Sequence, residues 1–312
     1  MVKLKQKVGE TCSLRIKPIF NDINICLAGN INYSEPMRTM IYSILRHADM
    51  SRKYEFIILS SDFTDDIKAK FERFKADNIA VRFVDMAAFH EKVKDRGKNY
   101  ITAETNYRLY LLSDDFAEYR RMLYLDCDMQ ATDDISKLYD TNLEGMAVGA
   151  CEAVSLRAIS VIKKAVFFDG KPCNVDYYRK NMLGLKNPES YFNAGMLVLD
   201  LEKCRSITDE IRAVEVLTAH KMHYNDQDCL NIIFEDNVKL LDVYWNYTTA
   251  IPNGAQNPDK RISERYTELL RNEYGIVHYI SSQKPWNSDV PLGEIYKQNN
   301  RQMIKEEITN ED

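Results

Sequence analysis

Strand and helix patterns alternate through the first 84 residues, and this alternation restricts the fold more than any other feature of the chain. Apolar runs typical of buried strands cover Ile23–Ala28 and Tyr54–Leu59, and Ile79–Val84 has the alternating pattern of a third strand. Between these runs, apolar residues recur at helical spacing over residues 37–45 and 67–74. A strand–helix–strand–helix–strand order predicts parallel strands joined by right-handed crossovers.

The same α/β pattern continues without an obvious linker. Ser34 and Thr64 are the predicted caps of the first two helices. The elements predicted further along are a helix over Thr105–Leu112, strands over Arg121–Leu125, Met146–Cys151, Gly195–Leu199 and Ile276–Ile280, and helices near Ile207–Ala219 and Asp226–Phe234. We therefore predict one α/β domain over residues 23–290, an N-terminal extension over 1–22 and a polar tail over 291–312. The tail is interpreted as a solvated helix.

Charge and composition limit the classes of partner. The chain has 312 residues, of which 45% are hydrophobic and 29% charged, and its formal net charge is −5. A negative protein is a poor candidate for binding nucleic acid through phosphate neutralisation. There is no apolar run of ~18 residues and no signal-peptide pattern, and the seven cysteines show neither metal-site nor disulfide spacing. We expect a cytoplasmic protein without a strong membrane anchor, and nothing indicates its oligomeric state.

Two carboxylates follow directly after a predicted buried strand. Asp126 and Asp128 lie two positions apart, so in an extended chain both side chains point to one face while Cys127 points away. Open α/β sheets bind ligands at the carboxyl ends of their strands. Two carboxylates so close together are unfavourable unless a cation lies between them, and hard divalent cations prefer oxygen ligands. This pattern indicates a metal site, although aspartates at strand ends also serve as turn or cap residues.

A second candidate group lies far downstream. Among the five histidines, only His278 falls in a buried-strand pattern, and it precedes a loop that carries Lys284. Imidazole suits Mn²⁺, Fe²⁺ or Zn²⁺ better than Mg²⁺, and a lysine can act as a point charge for a phosphate. Taken alone, a neutral histidine in a strand is more often a hydrogen-bonded core residue than a metal ligand, and both interpretations stay open.

Polar side chains suited to sugar hydroxyls occur in two further motifs. Asn193 precedes Gly195, and Asp226 is followed by Gln227. Amide side chains offer a donor and an acceptor at one site, but Asp226 could simply cap the helix that follows. Residues 155–189 are rich in Lys, Phe and Tyr and either shape an acceptor site or form ordinary surface helices.

Taken together, these motifs resemble glycosyltransferase family 8, whose members are retaining sugar transferases with a GT-A fold. The motifs that carry the resemblance are, in chain order, Ala28-Gly-Asn-Ile-Asn-Tyr33, Asn-Tyr-Arg108-Leu, Tyr-Leu-Asp126-Cys-Asp128, Tyr-Phe-Asn193-Ala-Gly195, Asn-Asp226-Gln227-Asp228 and His278-Tyr with Lys284-Pro-Trp286. The resemblance runs from about residue 23 to 286. It implies a single GT-A domain with a Rossmann-like nucleotide-binding half and a mixed central sheet.

The resemblance also implies a pocket for uridine. The residues it assigns to this pocket are Ala28, Asn30, Asn32 and Tyr33. Asn30 stands where related enzymes often have Asp. Ser281, between the histidine and the lysine, stands where they often have Gly. The contacts to uracil and the backbone approach to the phosphates are therefore expected to differ from those of relatives.

The remaining site residues are assigned by the same resemblance. Mn²⁺, with Mg²⁺ as the alternative, would be held against the diphosphate by Asp126, Asp128 and His278. Lys284 would reach a phosphate. The residues expected to meet the donor sugar are Arg108, Asn193, Asp226 and Gln227. Of these, the candidate catalytic residues are Asn193, Asp226 and Gln227, with Gln227 a candidate for the sugar face opposite the leaving group.

The implied function is metal-dependent, retaining transfer of a hexose. The donor would be a UDP-sugar carrying galactose or glucose, and the acceptor a hydroxyl of a glycan such as lipopolysaccharide or another surface glycan. Two alternatives stay open. A haloacid-dehalogenase-like phosphohydrolase also places two aspartates after a buried strand, and a catalytically inactive module would bind a sugar nucleotide without turnover.

Overall fold

The structure, a computed structural model, describes residues 15–96, 102–168, 171–219, 222–249 and 257–309. The strands of these residues are β1 Ile23–Ala28, β2 Tyr54–Ser60, β3 Ile79–Asp85, β4 Arg121–Leu125, β5 Met129–Ala131, β6 Val148–Glu152, β7 Ala165–Phe168, β8 Lys171–Asn174, β9 Phe192–Asp200, β10 Val238–Leu241, β11 Tyr247–Thr248 and β12 Ile276–His278. The α-helices are α1 Ser34–His47, α2 Asp65–Glu72, α3 Ala87–Val93, α4 Ser136–Tyr139, α5 Val154–Val161, α6 Val175–Tyr177, α7 Leu201–Ile207, α8 Glu210–Ala219, α9 Asn225–Ile233, α10 Lys260–Asn272 and α11 Gly293–Thr309. A long 3₁₀ segment covers Ala103–Leu112.

Seven of these strands form the central sheet, in the order β10-β6-β9-β4-β1-β2-β3. Strands β4, β1, β2 and β3 are parallel neighbours, which confirms the parallel pairing of β1, β2 and β3 predicted from the sequence. Strand β9 is antiparallel to both β4 and β6. The sheet is therefore mixed, as the GT-A resemblance implies, and the amino end of β9 lies beside the carboxyl ends of β4 and β6.

Alternating side chains of the sheet divide the core into two layers. On β1, Cys26 packs with one hydrophobic cluster while Ile25 and Leu27 pack with the other. This division follows from the two-residue period of a strand, since successive side chains point to opposite faces. Helices cover both faces of the sheet, so the strands are buried almost throughout, and the polar residues near them are concentrated at the strand ends.

A small second sheet brings the end of the chain back to the strand ends. Strand β12 pairs antiparallel with β5 and parallel with β11. In this register His278 lies opposite Met129, one residue after Asp128. The backbone N–H of Tyr279 also donates to the carbonyl of Asp128 at 3.0 Å. The small sheet thereby places His278 beside the two aspartates, 150 residues earlier in the chain.

The last helix, α11, packs along α1. Tyr296 and Met303 are buried in this contact. Tyr42 donates a hydrogen bond to Glu306 at 2.8 Å, and Arg38 forms an ion pair with Glu307. The prediction of a helix in the tail is confirmed, but only its outer face is solvated. Among the described residues, no helix is long and apolar enough to cross a membrane.

Several element boundaries differ from the sequence-based predictions. Helix α1 begins at Ser34 with Tyr33 as its cap, and no side chain caps it. Thr64 stands at the cap position of α2, again without a side-chain hydrogen bond. The helix predicted near Ile207–Ala219 begins at Glu210 as α8, and α7, which precedes it, was not predicted. Residues 155–189 form a helix, the β7–β8 hairpin and a π-helical turn, and not simply a pair of surface helices.

Candidate functional site

A cavity of about 560 Å³ opens at the carboxyl ends of β1 and β4 and the amino end of β9. Among the residues that line it are the predicted site residues Ala28, Tyr33, Arg108, Asp126, Asp128, Asn193, Asp226, Gln227, His278 and Lys284. The fold thus brings together residues from six separate motifs. Cavities of this size are typical of small-molecule sites.

Asp126 and Asp128 each have one carboxylate oxygen engaged by the protein. Oδ1 of Asp126 accepts hydrogen bonds from Arg108 at 2.8 Å and from the hydroxyl of Tyr124 at 3.2 Å. Oδ2 of Asp128 accepts from the ammonium of Lys284. The thiol of Cys127 lies 3.1 Å from the carbonyl of Ala28. Both carboxylates line the cavity, as predicted, but Cys127 is also among its lining residues. The carboxylates converge through the turn between β4 and β5 and not along an extended strand, because β4 ends at Leu125.

The other carboxylate oxygens converge on His278. Its Nε2 lies 3.2 Å from Oδ1 of Asp128 and 3.8 Å from Oδ2 of Asp126. Within the described part of the chain, Oδ1 of Asp128 is buried and has no hydrogen-bond partner. These three residues form a group whose ligand atoms all lie within 4.8 Å of one another. Two carboxylate oxygens and an imidazole nitrogen are a suitable donor set for a divalent cation.

The ionisation of the two aspartates agrees with a cation site. Burial raises the pKa of Asp126 above its usual range, although the guanidinium of Arg108 partly lowers it. Burial would also raise the pKa of Asp128, but Lys284 and His278 hold it well below its usual range. Asp128 is therefore ionised under all ordinary conditions. A bound cation would favour ionisation of Asp126 as well, because opposite charge lowers a carboxyl pKa.

Arg108 lies beneath the site and connects two aspartates. Its side chain is buried, its Nη2 donates to Asp126, and its Nε lies 3.0 Å from Oδ2 of Asp226. The guanidinium also lies 4.3 Å from the centre of the Tyr124 ring. The planar guanidinium thereby sets the distance between the two carboxylates. Asp226 is not the cap of α9, because Tyr224 occupies that position.

Burial raises the pKa of Asp226 from its ordinary value of 3.8 to about 6. Between pH 4 and 6 the folded chain therefore keeps a proton that the unfolded chain releases, so this group lowers the free energy of unfolding as the pH rises. Relative to Asp226→Asn, we expect the wild-type free energy of unfolding to fall by about 2–3 kcal/mol between pH 4 and pH 7, at about 1.4 kcal/mol per pKa unit. Guanidinium denaturation at several pH values measures this difference. Parallel pH profiles for the two proteins would contradict it.

Asn193 and Gln227 hold each other at the amino end of β9. Nδ2 of Asn193 donates to Oε1 of Gln227 at 3.0 Å, and that oxygen also accepts from the backbone N–H of Ala194 at 3.2 Å. Gly195 follows, and a Cβ at this position would lie only 2.4 Å from Cε1 of His278 and 2.8 Å from Oδ2 of Asp126. The glycine is thus required by the close approach of the strand to the cation site.

Only two of the four residues assigned by the resemblance to a uridine pocket line the cavity. Ala28 and Tyr33 line the cavity, whereas Asn30 and Asn32 are not among the described residues that do. Oδ1 of Asn30 accepts from the backbone N–H of Asn32, and its Nδ2 lies 3.4 Å from Oε2 of Glu104. Glu104 lines the cavity and was not identified from the sequence, because nothing in its local pattern distinguishes it from a solvated helix residue.

Other residues of the cavity wall come from the segment between β6 and β9. Ser155, Leu156 and Ile159 of α5 line the cavity, so residues 155–189 contribute part of its wall. Glu152, to which the sequence assigned no role, forms an ion pair with Arg261. This wall therefore supplies mainly apolar surface opposite the charged residues of the strand ends.

Comparison with known proteins agrees with this arrangement. The model of glycosyl transferase family 8 matches residues 24–290. The glycosyltransferase GlyF of Streptococcus pneumoniae serotype 4 is 28% identical over 85% of this chain, which spans only 57% of GlyF. Lipopolysaccharide 1,2-glucosyltransferase of Escherichia coli K12 is 23% identical over 85% of this chain and 73% of its own length. These matches do not favour the phosphohydrolase alternative.

A solved structure shows the same fold. The galactosyltransferase LgtC, in complex with donor and acceptor sugar analogues, superposes on this chain with a TM-score of 0.69 at 22% identity. The superposition covers 90% of this chain and 96% of LgtC. The GT-A architecture expected from the sequence motifs is thereby confirmed.

Proposed function

The chain belongs to glycosyltransferase family 8, and on this basis we propose that it transfers galactose or glucose from a UDP-sugar to a hydroxyl of a glycan acceptor, with retention at the anomeric carbon. The observation that carries the proposal is the convergence of Asp126, Asp128 and His278 at the base of a cavity of about 560 Å³. A charged site inside a cavity of this size suits a ligand with a diphosphate and a sugar.

The cation in this proposal is Mn²⁺ or Mg²⁺, held by Asp126, Asp128 and His278. When bound, a divalent cation supplies positive charge to the diphosphate as the bond to the sugar breaks. The imidazole ligand favours Mn²⁺ over Mg²⁺. Lys284 is buried beside Asp128, and its ammonium also donates to the carbonyl of Tyr279 at 2.6 Å. We assign to Lys284 a second positive charge near the departing phosphate.

The donor sugar is assigned to the floor formed by Arg108, Asn193, Asp226 and Gln227. Arg108 holds Asp226 in place, so that its carboxylate can accept a hydrogen bond from a sugar hydroxyl. The carbonyl oxygen of Gln227 is oriented by two donors and can favour positive charge that develops on the sugar. Because an amide is a poor nucleophile, charge stabilisation and front-face attack by the acceptor are as compatible with Gln227 as a covalent intermediate.

The proposal extends to the nucleotide, the acceptor and the location of the reaction. Uridine is assigned to the region of Ala28, Asn30, Asn32 and Tyr33, of which Ala28 and Tyr33 line the cavity. A relative named for lipopolysaccharide glucosylation supports lipopolysaccharide or another surface glycan as the acceptor. A cytoplasmic location belongs to the same proposal.

Donor screening by release of UDP tests the function directly. The purified chain is incubated with UDP-galactose, UDP-glucose or UDP-N-acetylglucosamine and Mn²⁺, first alone and then with a panel of oligosaccharide acceptors. We expect one UDP-hexose to release UDP, faster with the correct acceptor, and EDTA to stop the release. ADP- and GDP-sugars are the matched controls. Binding of UDP without turnover of any donor would favour the inactive module, and phosphatase activity would favour the hydrolase.

A further inference from the structure

We propose that Asn246 is a positioning residue of the cation site, held in place by a directed chain of hydrogen bonds that ends at the buried carboxylate of Asp228. Its role is to keep His278 in the orientation and tautomer that leave Nε2 free to bind a metal. This inference rests on the proposed function, because Nε2 would be a ligand of the cation proposed there. Asn246 and Asp228 are both buried, with 2% and 0% exposure, and neither is among the described residues that line the cavity.

The chain of hydrogen bonds begins at the imidazole of His278. Its Nδ1 lies 2.9 Å from Oδ1 of Asn246, while its Nε2 faces the two aspartates. Since an amide oxygen only accepts hydrogen bonds, Nδ1 must carry the hydrogen in this contact. The lone pair of the neutral ring is then on Nε2, on the side of the carboxylates. Metal-binding histidines commonly donate their second ring N–H to a neighbouring acceptor in this way.

The orientation of the Asn246 amide is determined by its other neighbour. Nδ2 of Asn246 donates to Oδ1 of Asn193 at 2.8 Å. That oxygen also accepts from the backbone N–H of Gly195 at 3.1 Å, and a backbone N–H can only donate. The oxygen of Asn193 must therefore point toward Asn246. Consequently Asn246 presents its NH₂ group to Asn193 and its oxygen to His278.

The same reasoning gives the orientation of the remaining side chains in this chain of hydrogen bonds. Oε1 of Gln227 accepts from the backbone N–H of Ala194, so the NH₂ group of Gln227 faces the hydroxyl of Tyr191 at 3.1 Å. The hydroxyl of Tyr191 in turn donates to Oδ1 of Asp228 at 2.6 Å. Each hydrogen bond from His278 to Asp228 therefore has the same direction, and each amide uses both its donor and its acceptor.

Asp228 is a strong acceptor at the far end. Its Oδ2 accepts from the hydroxyl of Tyr178 at 2.6 Å and from the backbone N–H groups of His223 and Tyr224 at 3.0 and 2.7 Å. An ionised carboxylate only accepts hydrogen bonds, so the hydroxyl of Tyr191 is the donor in its contact with Oδ1. Buried polar networks in which every member is satisfied are rigid, so the imidazole at the other end has one preferred orientation.

The test is the affinity for Mn²⁺ of the full chain without nucleotide, measured by electron paramagnetic resonance of free Mn²⁺. Asn246→Leu keeps the branched shape of the side chain but removes the acceptor for Nδ1–H. We expect its Kd for Mn²⁺ to rise about 10–100-fold, the usual loss when a partner of a ligating histidine is removed. The melting temperature without metal is recorded for each variant to separate affinity from folding.

Asn299 provides the matched control. It is a buried asparagine of α11 with two side-chain partners, Gln130 of β5 at 2.8 Å and Arg46 of α1 at 3.1 Å. Asn299→Leu is expected to lower the melting temperature as Asn246→Leu does, and to leave the Kd for Mn²⁺ unchanged. An equal loss of affinity in both variants would overturn the inference.

Substitutions of two tyrosines test the Asp228 end of the chain of hydrogen bonds. They provide a second test if Asn246→Leu does not fold. Both hydroxyls donate to Asp228 at 2.6 Å, but only the hydroxyl of Tyr191 also accepts from Gln227. We expect Tyr191→Phe to raise the Kd for Mn²⁺ by at least about twofold more than Tyr178→Phe does. Equal effects in this pair would overturn the directed chain.

The outcomes for the wild-type chain separate this inference from the proposed function. Binding of Mn²⁺ by the wild type that Asn246→Leu leaves unchanged would overturn the role of Asn246 and leave the proposed cation in place. Failure of the wild type to bind Mn²⁺ would overturn both. A higher Kd for Mn²⁺ in Asn246→Leu, together with an unchanged Kd in Asn299→Leu, would support the inference even if the donor is not a UDP-sugar.

Discussion

Asp128→Asn is expected to reduce sugar transfer by about 100- to 1000-fold or more, the range seen when one preorganised electrostatic contact is lost from an active site. Oδ1 of Asp128 is buried without a hydrogen-bond partner among the described residues and faces Nε2 of His278. The amide has the same shape but no charge, so it removes a negative ligand from the cation. The rate of UDP release at saturating donor, compared at several Mn²⁺ concentrations, measures the effect.

The fold of this variant should persist, because Lys284 keeps its hydrogen bond to the carbonyl of Tyr279. Asp140→Asn is the control, since Asp140 forms an ion pair with Arg52 at 2.8 Å and its side chain is 53% exposed. It removes the same charge away from the cavity and should leave transfer unchanged. Full transfer by Asp128→Asn, or equal rates in EDTA and in Mn²⁺, would contradict a metal-dependent site.

Gly195→Ala is the second substitution with a large expected effect. The added methyl group would lie 2.4 Å from Cε1 of His278, 2.8 Å from Oδ2 of Asp126 and 3.1 Å from Oδ1 of Asn193. Real Cβ atoms do not approach other atoms so closely, so at least one of these groups must move. We expect the free energy of unfolding to fall by about 1–3 kcal/mol and the affinity for Mn²⁺ to fall at least about 10-fold. Denaturation and Mn²⁺ titration measure the two losses separately.

Gly149→Ala provides a control of the same kind. Gly149 lies on β6. Its added Cβ would lie 2.7 Å from Cδ2 of Leu143, which is part of the hydrophobic core. We expect a similar loss of stability without a change in affinity for Mn²⁺. If the two variants lost stability and affinity in the same proportion, the effect of Gly195→Ala would be due to general destabilisation and not to its place beside the cation site.

Local patterns predicted the strands and the position of the two aspartates well. Strand β1 follows from its continuous apolar run, and the place of Asp126 and Asp128 in the cavity follows from their position directly after a buried strand. The boundaries of β1 and β4 agree with the structure residue for residue. Helix α7, which directly follows β9, was not predicted, and the helix predicted from Ile207 begins at Glu210.

The partners of the site residues could not be predicted in the same way. Asn246 contacts Asn193, 53 residues earlier, and His278, 32 residues later. Amide side chains have no periodic pattern, and their pairing depends on how two sheets come together. The sequence likewise contained no indication that Arg108 connects Asp126 to Asp226, since that contact requires the 3₁₀ segment to lie beneath β4. Long-range polar contacts of this kind are set by tertiary packing and not by local propensity.

The antiparallel direction of β9 has one more consequence. Glu152, at the end of β6, pairs with Phe192, at the start of β9, so residues 153–191 leave the sheet and return to it at neighbouring points beside the cavity. Such a stretch can change in length without shifting any strand, as long as Tyr178 and Tyr191 within it keep their hydrogen bonds to Asp228. Proteins with this sheet are able to diversify one wall of the cavity by replacing a single contiguous insert, while the strands retain the groups that handle charge.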